Sequence, residues 1–371
     1  MTKQEYLNQI DAVIENGRYK ADWKSLCNHK TPDWFTRDKL GIFIHWGVYS
    51  VPGFGNEWYP RSMYDKRVRE FEHHRKTYGE HKDFGYKDFI PMFKAENFDA
   101  DKWVDLFKKS GIRYVMPVAE HHDGFAMFHS KADKFNIVDA TPFGRDVVAE
   151  LAEACYKYDL KFGLYYSQEL DWHHPHGGGY SNNSGCSGVS WDNSWDYPDK
   201  SKKDFSICFE EKIKPQVREL LTNYGDLCLM WFDVPHTITK EQSLELNNLV
   251  KSIQLDCLIN SRIGNGAYDY VSLGDNEYPK KMPKNFDKDK DLNSIDGFKY
   301  SPYGLYETAG TLNSSWGFKY FDQDWISARK IAKRRKKLNS LGINYLLNVG
   351  PDGLGRIPSF SQEILLKAAK K

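Results

Sequence analysis

The sequence has almost no net charge, because 52 Lys and Arg residues are balanced by 51 Asp and Glu residues, leaving a formal charge of +1. A balanced surface has no general attraction for nucleic acid or for an anionic membrane. The sequence also lacks an apolar run long enough to span a bilayer. We therefore expect neither nucleic acid nor a membrane as a partner, and a small or neutral molecule instead.

Cysteine is sparse, and the six residues show no close spacing of the kind that binds a metal. Cys155, Cys228 and Cys257 fall inside apolar helical or strand patterns, where cysteine behaves as a small buried hydrophobe. The first residues, Met-Thr-Lys-Gln-Glu-Tyr, lack a basic segment followed by an apolar one, so no signal peptide is expected. These features predict reduced thiols in a cytoplasmic protein.

Short apolar runs alternate with helical patterns along nearly the whole chain. The predicted strands lie at 41–47, 113–122, 161–167, 226–233, 257–262, 268–273, 305–312 and 344–349. Repeated strand and helix units predict parallel strands with right-handed crossovers, and eight of them favour a closed α/β barrel of the (β/α)8 type, a TIM barrel. The Gly-rich phosphate fingerprint of a dinucleotide-binding sheet is absent after the first strand. We therefore expect no doubly wound fold and no cofactor.

Two segments are long and irregular, one at 173–202 and one at 280–303. Loops of this length in a compact protein usually carry function, so these are predicted to be lids or walls of a binding site. The whole chain, 1–371, is accordingly predicted to form a single barrel domain.

Polar and aromatic residues recur where the predicted strands end, and in a barrel these ends converge on one mouth. They are His45, Glu57, Trp58, His121, His122, Tyr165, Asp233 and Arg262. Asp233 ends an apolar run and is the first candidate for a nucleophile, although an isolated Asp at such a position often caps a helix. His121 and His122 are neighbours on a predicted strand, so their side chains should diverge, which argues against one metal ion held by both.

Carboxylates, imidazoles and indoles without a metal or phosphate signature suit glycoside hydrolysis. This reaction needs one carboxylate as nucleophile or base and a second one held protonated as the acid. Asp233 supplies the first, and Glu57, Glu277 and Glu307 are the choices for the second, among which spacing does not decide.

Several segments, in order over roughly 34–358, resemble the α-L-fucosidases of glycoside hydrolase family 29. They are Gly41-Ile-Phe-Ile-His45-Trp46-Gly47, Asn56-Glu57-Trp58-Tyr59-Pro60, Glu120-His121-His122-Asp123-Gly124-Phe125, Tyr165-Tyr166-Ser167, Trp231-Phe232-Asp233, Asn260-Ser261-Arg262, Ser315-Trp316-Gly317 and Asn344-Tyr-Leu-Leu-Asn348-Val-Gly350-Pro351-Asp352-Gly353.

The resemblance implies an exo-acting, retaining enzyme in a (β/α)8-like barrel that removes terminal α-L-fucose from oligosaccharides or glycoconjugates. It implies Asp233 as the nucleophile and Glu277 as the acid/base, with Glu307 as the competitor for the second role. It also implies a set of residues that hold the sugar, namely His45, Glu57, Trp58, His121, His122, Tyr165, Trp231, Arg262 and Trp316.

The chain departs from the family pattern at its C-terminal end. Members commonly carry a β-sandwich after the barrel, whereas this sequence stops at Ala368-Ala369-Lys370-Lys371, so a catalytic domain without the sandwich is expected. Val234-Pro235 also follows the candidate nucleophile where glycine is common. Two alternatives stay open: a fucose-binding protein without turnover, and a hydrolase of the related α-L-galactosides. The sequence does not indicate the oligomeric state or the preferred linkage.

Overall fold

The computed structural model describes residues 3–18, 20, 25, 31–178, 203–282 and 303–371. Within them, nine strands form one sheet. The strands are β1 (Leu40–Ile44), β2 (Tyr114–Glu120), β3 (Lys161–Phe162), β4 (Leu164–Tyr166), β5 (Leu229–Phe232), β6 (Leu258–Ile259), β7 (Val271–Ser272), β8 (Tyr306–Thr311) and β9 (Ile343–Val349).

The strands pair in parallel in the order β6-β5-β4-β2-β1-β9-β8-β7, and β3 also pairs with β2. β3 and β4 share one position in the sheet, separated only by Gly163. A parallel bridge between Asn260 and Tyr270 joins the end of β6 to the start of β7 and so closes the ring. The eight strand positions confirm the predicted (β/α)8-like barrel.

Helices surround this sheet. The longer ones in the described residues are α1 (Lys3–Glu15), α2 (Arg69–Tyr78), α3 (Ala100–Lys109), α4 (Val147–Lys157), α5 (Lys214–Asn223), α6 (Lys240–Ile253), α7 (Ala328–Ser340) and α8 (Ser359–Ala369). Shorter helical turns are Trp34–Arg37, Val48–Ser50, Tyr59–Ser62, Tyr86–Met92, Ile137–Ala140, Phe205–Cys208 and Ser261–Ile263, and a π turn lies at Phe209–Ile213. No helix in the described part of the chain is long and apolar enough to cross a bilayer.

Local sequence signals explain where the helices begin. Asp99 caps α3, because its carboxylate accepts the backbone N–H of Lys102 at 3.0 Å. Thr239 and Gln242 cap the start of α6 reciprocally, each side chain accepting the other residue's backbone N–H. Gly111, with a φ of +78°, follows the end of α3. Each of these helix boundaries is thus set by one or two residues next to it in the sequence.

The strands bury both of their faces. On β1, Ile42 and Ile44 pack outward against the helices, whereas Phe43 points into the barrel interior. On β2, Val115 packs outward and Met116 points inward in the same alternation. Aromatic and aliphatic side chains therefore fill the barrel, and a binding site is available only at its mouth.

Of the six cysteines, those in the described residues are reduced and buried: Cys155, Cys208, Cys228 and Cys257. Most of the two predicted loop segments, residues 179–202 and 283–302, lies outside the described residues. Their role as lids or walls stays a prediction.

Candidate active site

Asp233 directly follows β5 at the mouth of the barrel. Its Oδ2 accepts a hydrogen bond from the hydroxyl of Tyr165 at 3.0 Å, and its Oδ1 accepts one from Nη1 of Arg262 at 2.9 Å. Its backbone N–H donates to Oε1 of Gln168 at 2.7 Å. The next residue, Val234, has a φ of +54°, a left-handed conformation that costs energy for a β-branched side chain. The backbone thus turns sharply after a carboxylate that is fixed on both oxygens.

The surroundings of Asp233 favour its ionised form. Burial alone raises the pKa of this carboxyl, but the charge of Arg262 and the two hydrogen bonds outweigh burial and hold the pKa below its ordinary value. The carboxylate is therefore charged at neutral pH, as a nucleophile requires.

Arg262 lies in the helical turn after β6 and joins two carboxylates. Its Nη1 donates to Asp233, and its Nη2 donates to Oδ1 of Asp275 at 2.5 Å. The guanidinium also lies over the indole of Trp231, with Cζ 4.6 Å from the ring centroid. Because both terminal nitrogens belong to one planar group, the carboxyl groups of Asp233 and Asp275 are held close together.

Glu277 lies on the same loop as Asp275, but its carboxylate turns back onto the backbone of that loop. Its Oε2 accepts the backbone N–H of Gly274 at 3.1 Å, and the residue is exposed. Asp275 is the carboxylate that sequence reasoning missed. The signal was present, because Asp275 stands two residues before Glu277 and Arg262 offers two arms for carboxylates.

Glu307, the competing candidate for the acid/base, lies on β8 inside the barrel and is fully buried. It accepts hydrogen bonds from the Tyr114 hydroxyl at 2.6 Å, Nε1 of Trp231 at 3.1 Å and the Tyr270 hydroxyl at 3.4 Å. Burial raises the pKa of this carboxyl to about 7, against the opposing effect of these hydrogen bonds. Glu307 thus holds the Trp231 indole from below the mouth.

His45 is fixed in one tautomer by the amide of Asn348. The Nδ2 of Asn348 donates to the Trp316 carbonyl at 2.7 Å, so its Oδ1 accepts a hydrogen bond from Nδ1 of His45, also at 2.7 Å. Burial lowers the pKa of His45 to about 4, so the ring is neutral at pH 7. Its Nε2 is left as an acceptor.

His122 is fixed in the same way. The hydroxyl of Ser167 donates to the Leu170 carbonyl at 2.7 Å and accepts from Nδ1 of His122 at 2.8 Å. Burial lowers the pKa of His122 to about 4 as well. Its unprotonated Nε2 lies 3.8 Å from Oδ2 of Asp233. A neutral acceptor therefore stands beside the candidate nucleophile.

The two adjacent histidines correct one sequence prediction. Their rings do not diverge, because β2 ends at Glu120 and strand alternation no longer applies beyond it. The ring centroids of His121 and His122 are 4.1 Å apart. His121 also stacks on Tyr165, at 5.6 Å with an interplanar angle of 13°. Both imidazoles thus belong to one site.

The remaining predicted residues come from the loops after β1 and β8. Oε2 of Glu57 accepts the backbone N–H of Gly317 at 2.9 Å, which joins these loops. The Trp316 ring lies 5.1 Å from His45, and the Trp58 ring lies edge-on to His122 at 5.4 Å. Trp172 was missed, although it follows the third strand position, and its ring lies 5.0 Å from Trp58 and 5.6 Å from His122.

These contacts connect all the residues predicted to hold the sugar into one cluster around Asp233. The cluster combines an ionised carboxylate, neutral imidazole acceptors and indole faces, with a second carboxylate on the shared guanidinium of Arg262. Imidazoles and hydroxyl-bearing side chains bind sugar hydroxyls, and ring faces pack on apolar C–H groups. The arrangement has the groups that glycoside hydrolysis needs.

Comparisons with known proteins agree with this chemistry. A family model described as alpha-L-fucosidase matches residues 6–370. The tissue alpha-L-fucosidase of Bos taurus is 30% identical over 370 residues, which cover 95% of this chain and 69% of that protein. The structure of unliganded alpha-L-fucosidase AlfC from Lactobacillus casei is 47% identical in sequence, and the match covers 91% of this chain and 96% of the AlfC chain with a TM-score of 0.75. An alpha-fucosidase of Thermotoga maritima, solved with a mechanism-based inhibitor, is 30% identical, with 95% and 76% coverage and a TM-score of 0.75. The chain therefore belongs to the α-L-fucosidase family, glycoside hydrolase family 29.

Proposed function

We propose that this chain is an exo-acting, retaining α-L-fucosidase with Asp233 as its nucleophile. The observation that supports this most directly is the clamp on Asp233, whose two oxygens are held by Tyr165 and Arg262 while Arg262 also binds a second carboxylate. Attack by Asp233 on the anomeric carbon breaks the glycosidic bond, whose leaving oxygen takes a proton from the acid, and forms a fucosyl ester with inversion of that centre. Water then displaces the ester with a second inversion, which releases α-L-fucose.

The acid/base belongs to the loop that carries Asp275 and Glu277. A retaining enzyme needs its two carboxyl groups about 5–5.5 Å apart, and sharing one guanidinium places Asp275 near Asp233. The Glu277 carboxylate is occupied by the Gly274 backbone. We therefore favour Asp275 for proton transfer, and Glu277 stays the alternative predicted from sequence.

The first experiment is turnover of an aryl α-L-fucoside by the unmodified chain, followed by NMR to identify the anomer that is released first. We expect α-L-fucose. Initial release of the β anomer would contradict the retaining mechanism, and absence of turnover with retained fucose binding would indicate a binding protein. The matching aryl α-L-galactoside tests the related sugar. Fucα(1,6)GlcNAc is the first oligosaccharide to assay. It is bound in a structure of an AlfC variant whose sequence is 45% identical to this chain.

The acid side of the pH profile should report the buried histidines. His45 and His122 have pKa values of about 4, and protonation turns each Nε2 from an acceptor into a donor. Asp233 stays ionised to lower pH, because its pKa lies below the ordinary value. For an aryl α-L-fucoside, kcat/KM should therefore fall as pH drops through about 4, with a limiting slope of two protons.

His122→Gln is the matched variant for this profile. Its amide oxygen keeps an acceptor but takes up no proton in this range, so the slope should fall to one. A decline centred near 6.5, the ordinary imidazole value, would contradict the neutral, buried state of these rings.

A further inference from the structure

A π turn at Phe209–Ile213 interrupts the helical segment that precedes β5. Such turns are rare and occur often at functional sites, because one extra residue redirects the side chains around them. This turn carries Lys212, whose side chain is 2% exposed. Burial of an unpaired ammonium group costs free energy of folding, so the partners of Lys212 indicate which segments the turn connects.

Lys212 joins the segments that carry His121, His122 and Trp172, which form one wall of the active site. Its Nζ lies 2.5 Å from Oδ2 of Asp171, 2.9 Å from the Gly124 carbonyl, 3.3 Å from Oε1 of Glu120 and 3.4 Å from Oδ2 of Asp133. Glu120 and Gly124 flank the segment that contains His121 and His122. One ammonium group therefore fixes both ends of the turn after β2.

Asp171 extends this connection to Trp172. Its Oδ1 accepts the backbone N–H groups of His173 and His174 at 2.9 and 2.7 Å, while Oδ2 binds Lys212. The backbone N–H of Trp172 donates to the His122 carbonyl at 2.8 Å. The Trp172 ring, held between these bonds, packs edge-on against both Trp58 and His122.

The carboxyl groups around Lys212 differ in how their pKa values are shifted. Burial raises the pKa of Asp171, but Lys212 outweighs it and holds the pKa below its ordinary value. Burial raises the pKa of Glu120 well above its ordinary value, although the ammonium group of Lys212 opposes this shift. Lys212 and Asp171, 2.5 Å apart, thus form the closest ion pair of this ammonium group.

We propose that Lys212 is a positioning residue for sugar binding, which acts through Asp171 to hold Trp172 and His122 at the distances that the sugar requires. Lys212 has no contact with Asp233, so its effect falls on the binding wall rather than on the bond-breaking step. The inference rests on the proposed function, since it concerns the same site.

The chain offers a matched control two residues away. Lys214 is also 2% exposed and also binds three carboxylates, those of Asp11, Glu210 and Glu245, at 3.0, 3.0 and 2.5 Å. Asp11 and Glu245 belong to the outer helices α1 and α6, away from the mouth. Lys212→Met and Lys214→Met therefore each remove a buried ammonium group that has three carboxylate partners. The partners of Lys214 are 30–50% exposed, whereas two of the three partners of Lys212 are at most 4% exposed, and only Lys212→Met disturbs the wall of the site.

We expect Lys212→Met to raise KM for an aryl α-L-fucoside roughly tenfold while kcat changes less than about threefold, the pattern of lost uniform binding. The inhibition constant of L-fucose should rise in parallel. Lys214→Met should leave both constants near those of the unmodified chain. Melting temperatures of both variants show how much stability each has lost, and the assays are run below both.

Equal changes of KM in the two lysine variants, or an unchanged KM in Lys212→Met, would overturn the proposal. If Lys212→Met does not fold, Lys212→Met/Asp171→Asn removes both charges of the pair and takes its place in the comparison. A failure of the proposed function looks different, because the unmodified chain itself would then show no turnover of α-L-fucosides.

Discussion

Asp233→Gly should reduce kcat for an aryl α-L-fucoside by at least about 10⁴-fold, because it removes the carboxylate on which the proposed covalent intermediate forms. Removal of the carboxylate also opens a space beside Arg262 that a small anion can enter. Added azide should therefore attack the anomeric carbon directly and give β-L-fucosyl azide, the product of a single inversion.

Asp226→Gly is the control for this variant, since Asp226 is an exposed carboxylate just before the opposite end of the same strand. It should retain turnover close to that of the unmodified chain. Substantial turnover by Asp233→Gly without azide would exclude Asp233 as the nucleophile.

Asp275→Ala should be the second most damaging change. Loss of the acid slows departure of a poor leaving group, and loss of the base slows hydrolysis of the fucosyl ester. An aryl fucoside with an activated leaving group needs little protonation, so its ester should accumulate and azide should accelerate turnover. The product is then α-L-fucosyl azide, because azide intercepts the ester after the first inversion.

Glu277→Ala and Glu307→Ala complete this series. In Glu277→Ala we expect nearly normal turnover and no azide product, since its carboxylate binds the backbone of its own loop. Glu307→Ala removes the partner of the Trp231 indole and should lower activity without azide rescue. If azide instead accelerates Glu277→Ala and yields the α azide, proton transfer belongs to Glu277 and not to Asp275.

Much of this molecule could be predicted from local patterns. Apolar runs gave all eight strand positions because strands covered on both faces must be apolar along their whole length. The convergence of strand ends then placed His45, Tyr165 and Asp233 in one site, because barrel geometry leaves no other arrangement. The helix caps at Asp99 and Thr239 follow equally local rules.

What sequence reasoning missed depends on contacts between distant segments. Their positions in the sequence do not show which of Asp275 and Glu277 enters the site. The hydrogen bond from Arg262 to Asp275 distinguishes them. The rings of His121 and His122 meet because β2 ends one residue before them, and strand ends are set by tertiary hydrogen bonds. Lys212 looks like any helical lysine, whereas its partners Asp171 and Gly124 lie 41 and 88 residues away.

The π turn makes the length of its segment as important as its composition. Each residue of an α-helix advances the side chains by about 100°, so deleting one residue from Phe209–Ile213 would restore regular winding and rotate everything before it relative to everything after it. Lys212 and Lys214 could not then both reach their carboxylates, one set on the barrel and the other on the outer helices. The extra residue therefore sets the rotation that lets Lys212 face the barrel while Lys214 faces the outer helices. A substitution within the turn keeps this rotation, whereas deletion of one residue removes it.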